Sequence, residues 1–169
     1  MGTQTISKNS SRANSAFLIG LFTILGAWAF QLIGGYIPCE LCYAQRTPYY
    51  IGLPLLAAII IFWTKIPTML RILLTLIVAA IFIWGAYLGG FHSGVEWGFW
   101  AGPTSCAGDS EGLSFDALNN LNETMVVPCG QAQWRFLGIS FAGYNALISS
   151  LISLILIWSA LGQYKRIKR

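Results

Sequence analysis

Four cysteines, Cys39, Cys42, Cys106 and Cys129, are the residues of this chain best suited to chemistry, and their spacing makes two unlike pairs. Cys39 and Cys42 form a C-x-x-C within Pro38-Cys39-Glu40-Leu41-Cys42, whereas 22 residues separate Cys106 from Cys129. Three chemistries could use such a set. A structural disulfide would suit the wide pair, but a bridge over a two-residue spacer closes a small ring and restrains little chain. A four-cysteine zinc site would accept one C-x-x-C, yet its second half is usually another close pair, and Cys106 and Cys129 are not one. Thiol–disulfide redox fits the close pair best, because C-x-x-C lowers a thiol pKa and leaves its bridge easily exchanged.

Two other residues stand near this chemistry. Arg46 follows Cys42 by four positions, which on a helix is the same face one turn deeper. A guanidinium there could stabilise negative charge on a thiolate or on an acceptor beside it, or else reach out to lipid phosphate. His92 is the sole histidine. Its unperturbed pKa lies near physiological pH, which suits proton delivery, although an interfacial polar residue would look the same in sequence.

The elements that must position these residues are set by composition. Of 169 residues, 56% are hydrophobic and 9% charged, and the mean hydropathy is +0.63. An ordinary soluble domain carries about 25% charged residues. A soluble domain and a disordered chain are both excluded. No charge falls in 13–39, 47–64, 72–91 or 136–164. About 20 residues of helix cross a bilayer core, and in lipid the backbone must satisfy itself. The expected fold is therefore an all-α, four-transmembrane-helix bundle in one domain over 1–169. Its spans are expected at about 16–35, 46–64, 70–91 and 138–161.

Charge placement orients the bundle. Lys8, Arg12, Lys65, Arg71, Lys165, Arg166, Lys168 and Arg169 share one side, while Arg46, Arg135 and all six acids share the other. The positive-inside rule then makes both termini cytoplasmic and the loops at about 36–45 and 92–137 external. The net charge of +4 is explained by this sorting, so nucleic acid is not implied. All four cysteines fall on the oxidising side, where disulfide chemistry is expected. Ala27-Trp28-Ala29 resembles a signal-peptidase site, but the apolar run continues through Ile33, so an uncleaved first span is expected. Thr64–Thr68, with Pro67, reads as a tight turn between antiparallel spans. In the long loop, Phe91, Trp97, Phe99 and Trp100 suit an interfacial belt. Leu113, Leu118, Leu121 and Met125 suit a surface amphipathic helix. Asn122-Glu123-Thr124 has the form of a glycosylation acceptor, expected to be unused.

The run Pro38-Cys39-Glu40-Leu41-Cys42-Tyr43-Ala44-Gln45-Arg46 resembles the signature of the disulfide bond formation protein B (DsbB) family. Pro103-Thr104-Ser105-Cys106, Val127-Pro128-Cys129 and Gln133-Trp134-Arg135-Phe136-Leu137-Gly138 are similar to that family as well. The resemblance implies a multi-pass protein of the bacterial inner membrane with a long periplasmic loop between helices 3 and 4. It implies a quinone-coupled oxidase, using ubiquinone or menaquinone and no metal. The partner would be a soluble periplasmic thioredoxin-fold dithiol oxidase of the DsbA kind. By carry-over, Cys106–Cys129 is the loop disulfide that meets this partner through Cys106, and Cys129 exchanges with Cys39. Cys42 would be left as the thiolate facing the quinone, and Arg46 occupies the quinone-site arginine. His92 coincides with a histidine of some members. Vitamin K epoxide reductase-like enzymes are a rival, but their C-x-x-C opens the last span. A scaffold with a disulfide-pinned loop is the non-enzymatic rival.

Overall fold

The computed structural model describes residues 2–103 and 128–168, with residues 2–7 described by their backbone alone. Among these, four helices carry nearly all the regular structure: α1 (Gly2–Leu32), α2 (Glu40–Ile61), α3 (Thr68–Glu96) and α4 (Phe141–Ile167). The chain is a helical membrane protein. α1 from Lys8, α3 and α4 are each long and apolar enough to cross a membrane. Their outer faces expose large apolar side chains, Phe22, Ile83, Leu154 and Trp158 among them. Lipid, rather than water, is the solvent such faces suit. α2, where the second span was expected, is not among these three; it buries Gln45, Arg46 and Tyr49 and carries Pro48 and Pro54 inside the helix.

One element departs from the all-helical expectation. A short antiparallel hairpin, β1 (Arg135–Phe136) and β2 (Ile139–Ser140), precedes α4. Leu137 and Gly138 both adopt positive φ, 50° and 82°, as a two-residue hairpin turn demands. Ser140 then caps α4, its hydroxyl accepting from the Gly143 amide at 3.3 Å. The last helix therefore begins at Phe141, immediately after a sharp reversal of the chain.

The core joins α2, α3 and α4 through Leu56, Ile59, Val78, Phe82, Ile152 and Leu156, all essentially inaccessible. α1 packs across α4 and α2. Between α2 and α3, the amides of Lys65 and Ile66 donate to the Phe62 carbonyl at 2.9 and 3.0 Å, closing a tight connection. α3 and α4 approach closely at Gly89. A Cβ there would lie 2.7 Å from the Ala146 amide nitrogen and 2.8 Å from the Ala142 carbonyl. This near-contact of backbones brings Asn145 of α4 within reach of the heads of α2 and α3.

Candidate functional site

The site is built where α2 begins. Cys39 is the N-cap residue, and its sulfur accepts from the Cys42 amide at 3.3 Å. A cap sulfur is held against the unpaired amides of the first turn, where negative charge is favoured. Cys39 and Cys42 are free thiols with sulfurs 2.7 Å apart. The Cys39 thiol is lowered from 9.0 to about 5. The hydrogen bond from Cys42 is the largest cause, burial opposes it, and a hydrogen bond from His92 adds to it. Cys42 is pushed upward, chiefly by its hydrogen bond to Cys39 and then by burial, so of the two free thiols Cys39, and not Cys42 as the resemblance implied, is disposed to be the thiolate.

His92, in the last turns of α3, is buried and faces this sulfur with Nε2 at 3.7 Å. The same nitrogen lies 3.3 Å from the Cys129 carbonyl and 3.9 Å from Glu96 Oε1. Cys129 is disulfide-bonded and fully buried, packed with Cys39, Val95 and Phe91. Behind the imidazole runs a chain of amides. Gln45 Nε2 stands 2.6 Å from His92 Nδ1, and Asn145 Nδ2 donates to Gln45 Oε1 at 2.8 Å. Tyr49 in turn donates to Asn145 Oδ1 at 2.8 Å.

Arg46 lies deeper along α2 and is largely buried. Its Nη1 donates to Gln31 Oε1 at 2.6 Å and its Nη2 to the Ala27 carbonyl at 3.4 Å. The rings of Trp28 and Tyr43 lie 5.7 and 5.5 Å from the guanidinium carbon. These contacts to Arg46 are all with neutral groups. A buried cation without a carboxylate is costly unless an anion or polar ligand completes it. Such a space is present: a cavity of about 470 Å³ is lined by Cys39, Cys42, Arg46 and His92 on one side. Phe22, Phe30, Phe141 and Ile148 supply apolar wall. Phe30, Trp134 and Phe141 close one flank, with Phe141 centroids 4.8 and 4.9 Å from the other two. Gln133 pins the approach to α2 by donating to the Ile37 carbonyl at 2.6 Å.

Of the residues expected from sequence, Cys39, Cys42, Arg46, His92 and Cys129 are gathered here. Cys106, the amphipathic stretch 113–125 and the Asn122 sequon lie outside the described residues. Glu96 and Asn145 escaped sequence reasoning. Glu96 carries a signal, since it follows His92 by four residues and so shares its helix face. Asn145 carries none in a long apolar run. Cys39, Cys42 and His92 present donor atoms within 4.8 Å of one another and so form a possible metal cluster. Two sulfurs of one tetrahedral zinc would stand about 3.8 Å apart, given Zn–S near 2.3 Å. The observed 2.7 Å is shorter than that spacing.

An uncharacterized protein of Rickettsia prowazekii is 27% identical over 143 residues, covering 82% of this chain and 80% of its own. No solved structure matches the chain. The family model for disulfide bond formation protein DsbB matches residues 11–159. That match runs from within α1 to within α4 and takes in the whole site, and it makes this chain a member of the DsbB family of disulfide-forming membrane oxidoreductases.

Proposed function

We propose that the protein is a thiol:quinone oxidoreductase. It reoxidises a soluble periplasmic thioredoxin-fold dithiol oxidase and passes two electrons through two cysteine pairs to a membrane quinone. The observation that carries this reading is the shared cavity. The Cys39–Cys42 pair and a buried Arg46 with neutral neighbours open on one apolar space. A quinone would fit those residues by chemistry, as a flat apolar ring with carbonyl oxygens to which Arg46 could donate. When bound it supplies the two-electron acceptor that restores the Cys39–Cys42 disulfide.

The chain's own residues perform the exchange. A thiolate of the reduced partner attacks the Cys106–Cys129 disulfide at Cys106, forming one S–S bond and releasing Cys129 as thiolate. Cys129 attacks Cys39 of the oxidised C-x-x-C, and Cys42 leaves as thiolate. The partner's second thiol resolves its bond to Cys106, and the freed Cys106 restores the loop disulfide by attack on Cys129. Cys39 and Cys42 are then the reduced pair. The disulfide state of Cys129, beside two free thiols at Cys39 and Cys42, supports this pairing. Packing of Cys129 against Cys39 supports the exchange between them. A strongly oxidising thioredoxin-fold protein has a potential near −120 mV, while structural disulfides lie below about −300 mV. A structural bridge alone could not reoxidise such a partner, so a terminal acceptor is required.

Four spans, cytoplasmic termini, a periplasmic 92–137 loop and residence in the bacterial inner membrane belong to the same reading. They rest on the sorting of cations and on the need to reach both periplasm and quinone. A vitamin K epoxide reductase-like arrangement is disfavoured because the C-x-x-C caps α2 and not α4. The purified protein should consume a short-chain quinone in step with disulfide formation in a reduced dithiol oxidase. Failure to consume quinone, with cysteines inert to exchange, would return the chain to a scaffold with a pinned loop.

A further inference from the structure

The hydrogen-bond direction around His92 is fixed from its far ends. Gln45 Nε2 donates to the Leu41 carbonyl at 3.3 Å, and Asn145 Nδ2 donates to the Gly85 carbonyl at 3.4 Å. A backbone carbonyl only accepts, so each amide turns its NH2 toward that oxygen. Asn145 spends its other N–H on Gln45 Oε1, while Tyr49 and Ser149 donate to Asn145 Oδ1. Turning either amide over would break several of these bonds. The remaining N–H of Gln45 therefore points at His92 Nδ1, 2.6 Å away, and that nitrogen is the acceptor. A neutral imidazole with Nδ1 accepting carries its proton on Nε2. There the N–H meets Cys39 Sγ, the Cys129 carbonyl and Glu96 Oε1, at 3.7, 3.3 and 3.9 Å.

We propose that Gln45 and Asn145 are positioning residues that lock His92 as its neutral Nε2–H tautomer. The imidazole is thereby a hydrogen-bond donor shared by Cys39 and Cys129, rather than a base that takes the Cys39 proton. One N–H then serves both cysteine pairs, supporting charge on the Cys39 sulfur and holding the Cys129 backbone beside it. The titratable groups facing the ring are Cys39 and Cys42 from the head of α2 and Glu96 from α3 itself; the returning loop offers the uncharged Cys129 carbonyl. The assignment deepens the proposed redox role by naming the sulfur served, and rests on that role only there. The tautomer itself is independent of quinone and partner.

The single histidine makes the test direct. The full-length protein, labelled with ¹⁵N-histidine and held in detergent without added quinone, gives one pair of ring-nitrogen signals. We expect Nδ1 at the unprotonated shift and Nε2 at the protonated shift at a pH above the ring's own titration, which burial lowers but Cys39 and Glu96 raise on balance. Asn145→Asp replaces the donor on Gln45 Oε1 with an acceptor, so Gln45 should turn its NH2 toward it and reverse the His92 pattern to Nδ1–H. Gln45→Glu should reverse it directly. An Nδ1–H form or an even tautomer mixture in the native protein overturns the proposal. So does retention of the native pattern in both variants. The native measurement stands even if a variant fails to fold, and loss of quinone reduction leaves it untouched.

Discussion

The Cys39 sulfur and His92 Nε2 stand 3.7 Å apart across the junction of α2 and α3. With the Gln45–His92 bond, this pairing joins the N-terminal end of α2 to the C-terminal end of α3 by polar contacts. The contact ties the reactivity of the C-x-x-C to the position of α3, and most of the expected outcomes below follow from it.

Thiol reactivity should report the lowered pKa. In a Cys42→Ser variant, where the hydroxyl can still donate to the sulfur, alkylation of Cys39 should reach half its plateau near the native value of about 5. Cys42→Ala removes the largest cause and should move that midpoint upward. The sign for folding follows by linkage: the folded value lies below 9.0, so the stabilisation is full above pH 9 and is lost as pH falls through about 5. A midpoint near 9 in both variants would remove the privileged role of Cys39.

Arg46 should act on the acceptor and not on the loop. Arg46→Gln removes a buried charge-assisted donor worth about 1.5–3 kcal/mol, so quinone affinity should fall by about tenfold or more. Exchange between the loop disulfide and the soluble partner should persist. Lysine should rescue only part, lacking the planar fork of donors. Unchanged quinone kinetics would make Arg46 a lipid-facing anchor.

The order of exchange should be visible on non-reducing gels. Cys129→Ser leaves Cys106 as the loop thiol able to hold an oxidised partner, and that mixed disulfide should accumulate. Cys42→Ser should block passage to quinone while partner exchange at Cys106 continues. Peptide mapping that finds the partner chiefly on Cys39 or Cys42 would make the loop bridge purely structural.

Gly89→Ala should test the α3–α4 contact on which Asn145 depends. The added methyl meets backbone atoms at 2.7 and 2.8 Å, and backbone cannot rotate away. Overpacking of this kind costs about 1–3 kcal/mol, read as a lower Tm in detergent. Unchanged Tm would show that the helices separate there without penalty.

Orientation should be settled by labelling. Tags after Lys65 and Arg169 should report cytoplasm, and a tag at Gly108 should report periplasm. An internal Gly108 would remove the cysteines from the oxidising side and the mechanism with them.

The sequence makes the helices legible because lipid imposes one demand, uninterrupted apolar length, and charges mark its interruptions. The cysteines and Arg46 are legible for a different reason, since their chemistry depends on near-neighbour spacing along one helix. The hairpin at 135–140 was not legible: its signal is two residues, Leu137 and Gly138, whose positive φ values appear only in the backbone. Nor was the amide chain behind His92. Gln45 was part of a recognisable run, but its partner Asn145 lies 100 residues away, and only the packing of α4 on α3 brings them together.

The burial of Cys129 beside Cys39 carries a kinetic consequence. Its backbone is held by His92 and its side chain is wholly enclosed. Groups fixed in reactive proximity behave as though present at about 10⁵ M or more, which no dissolved thiol approaches. Small thiols of the surroundings therefore cannot outpace the internal exchange, even when abundant. In the proposed relay, electrons that enter at the loop pair are thereby committed to the membrane before a competitor can draw them off.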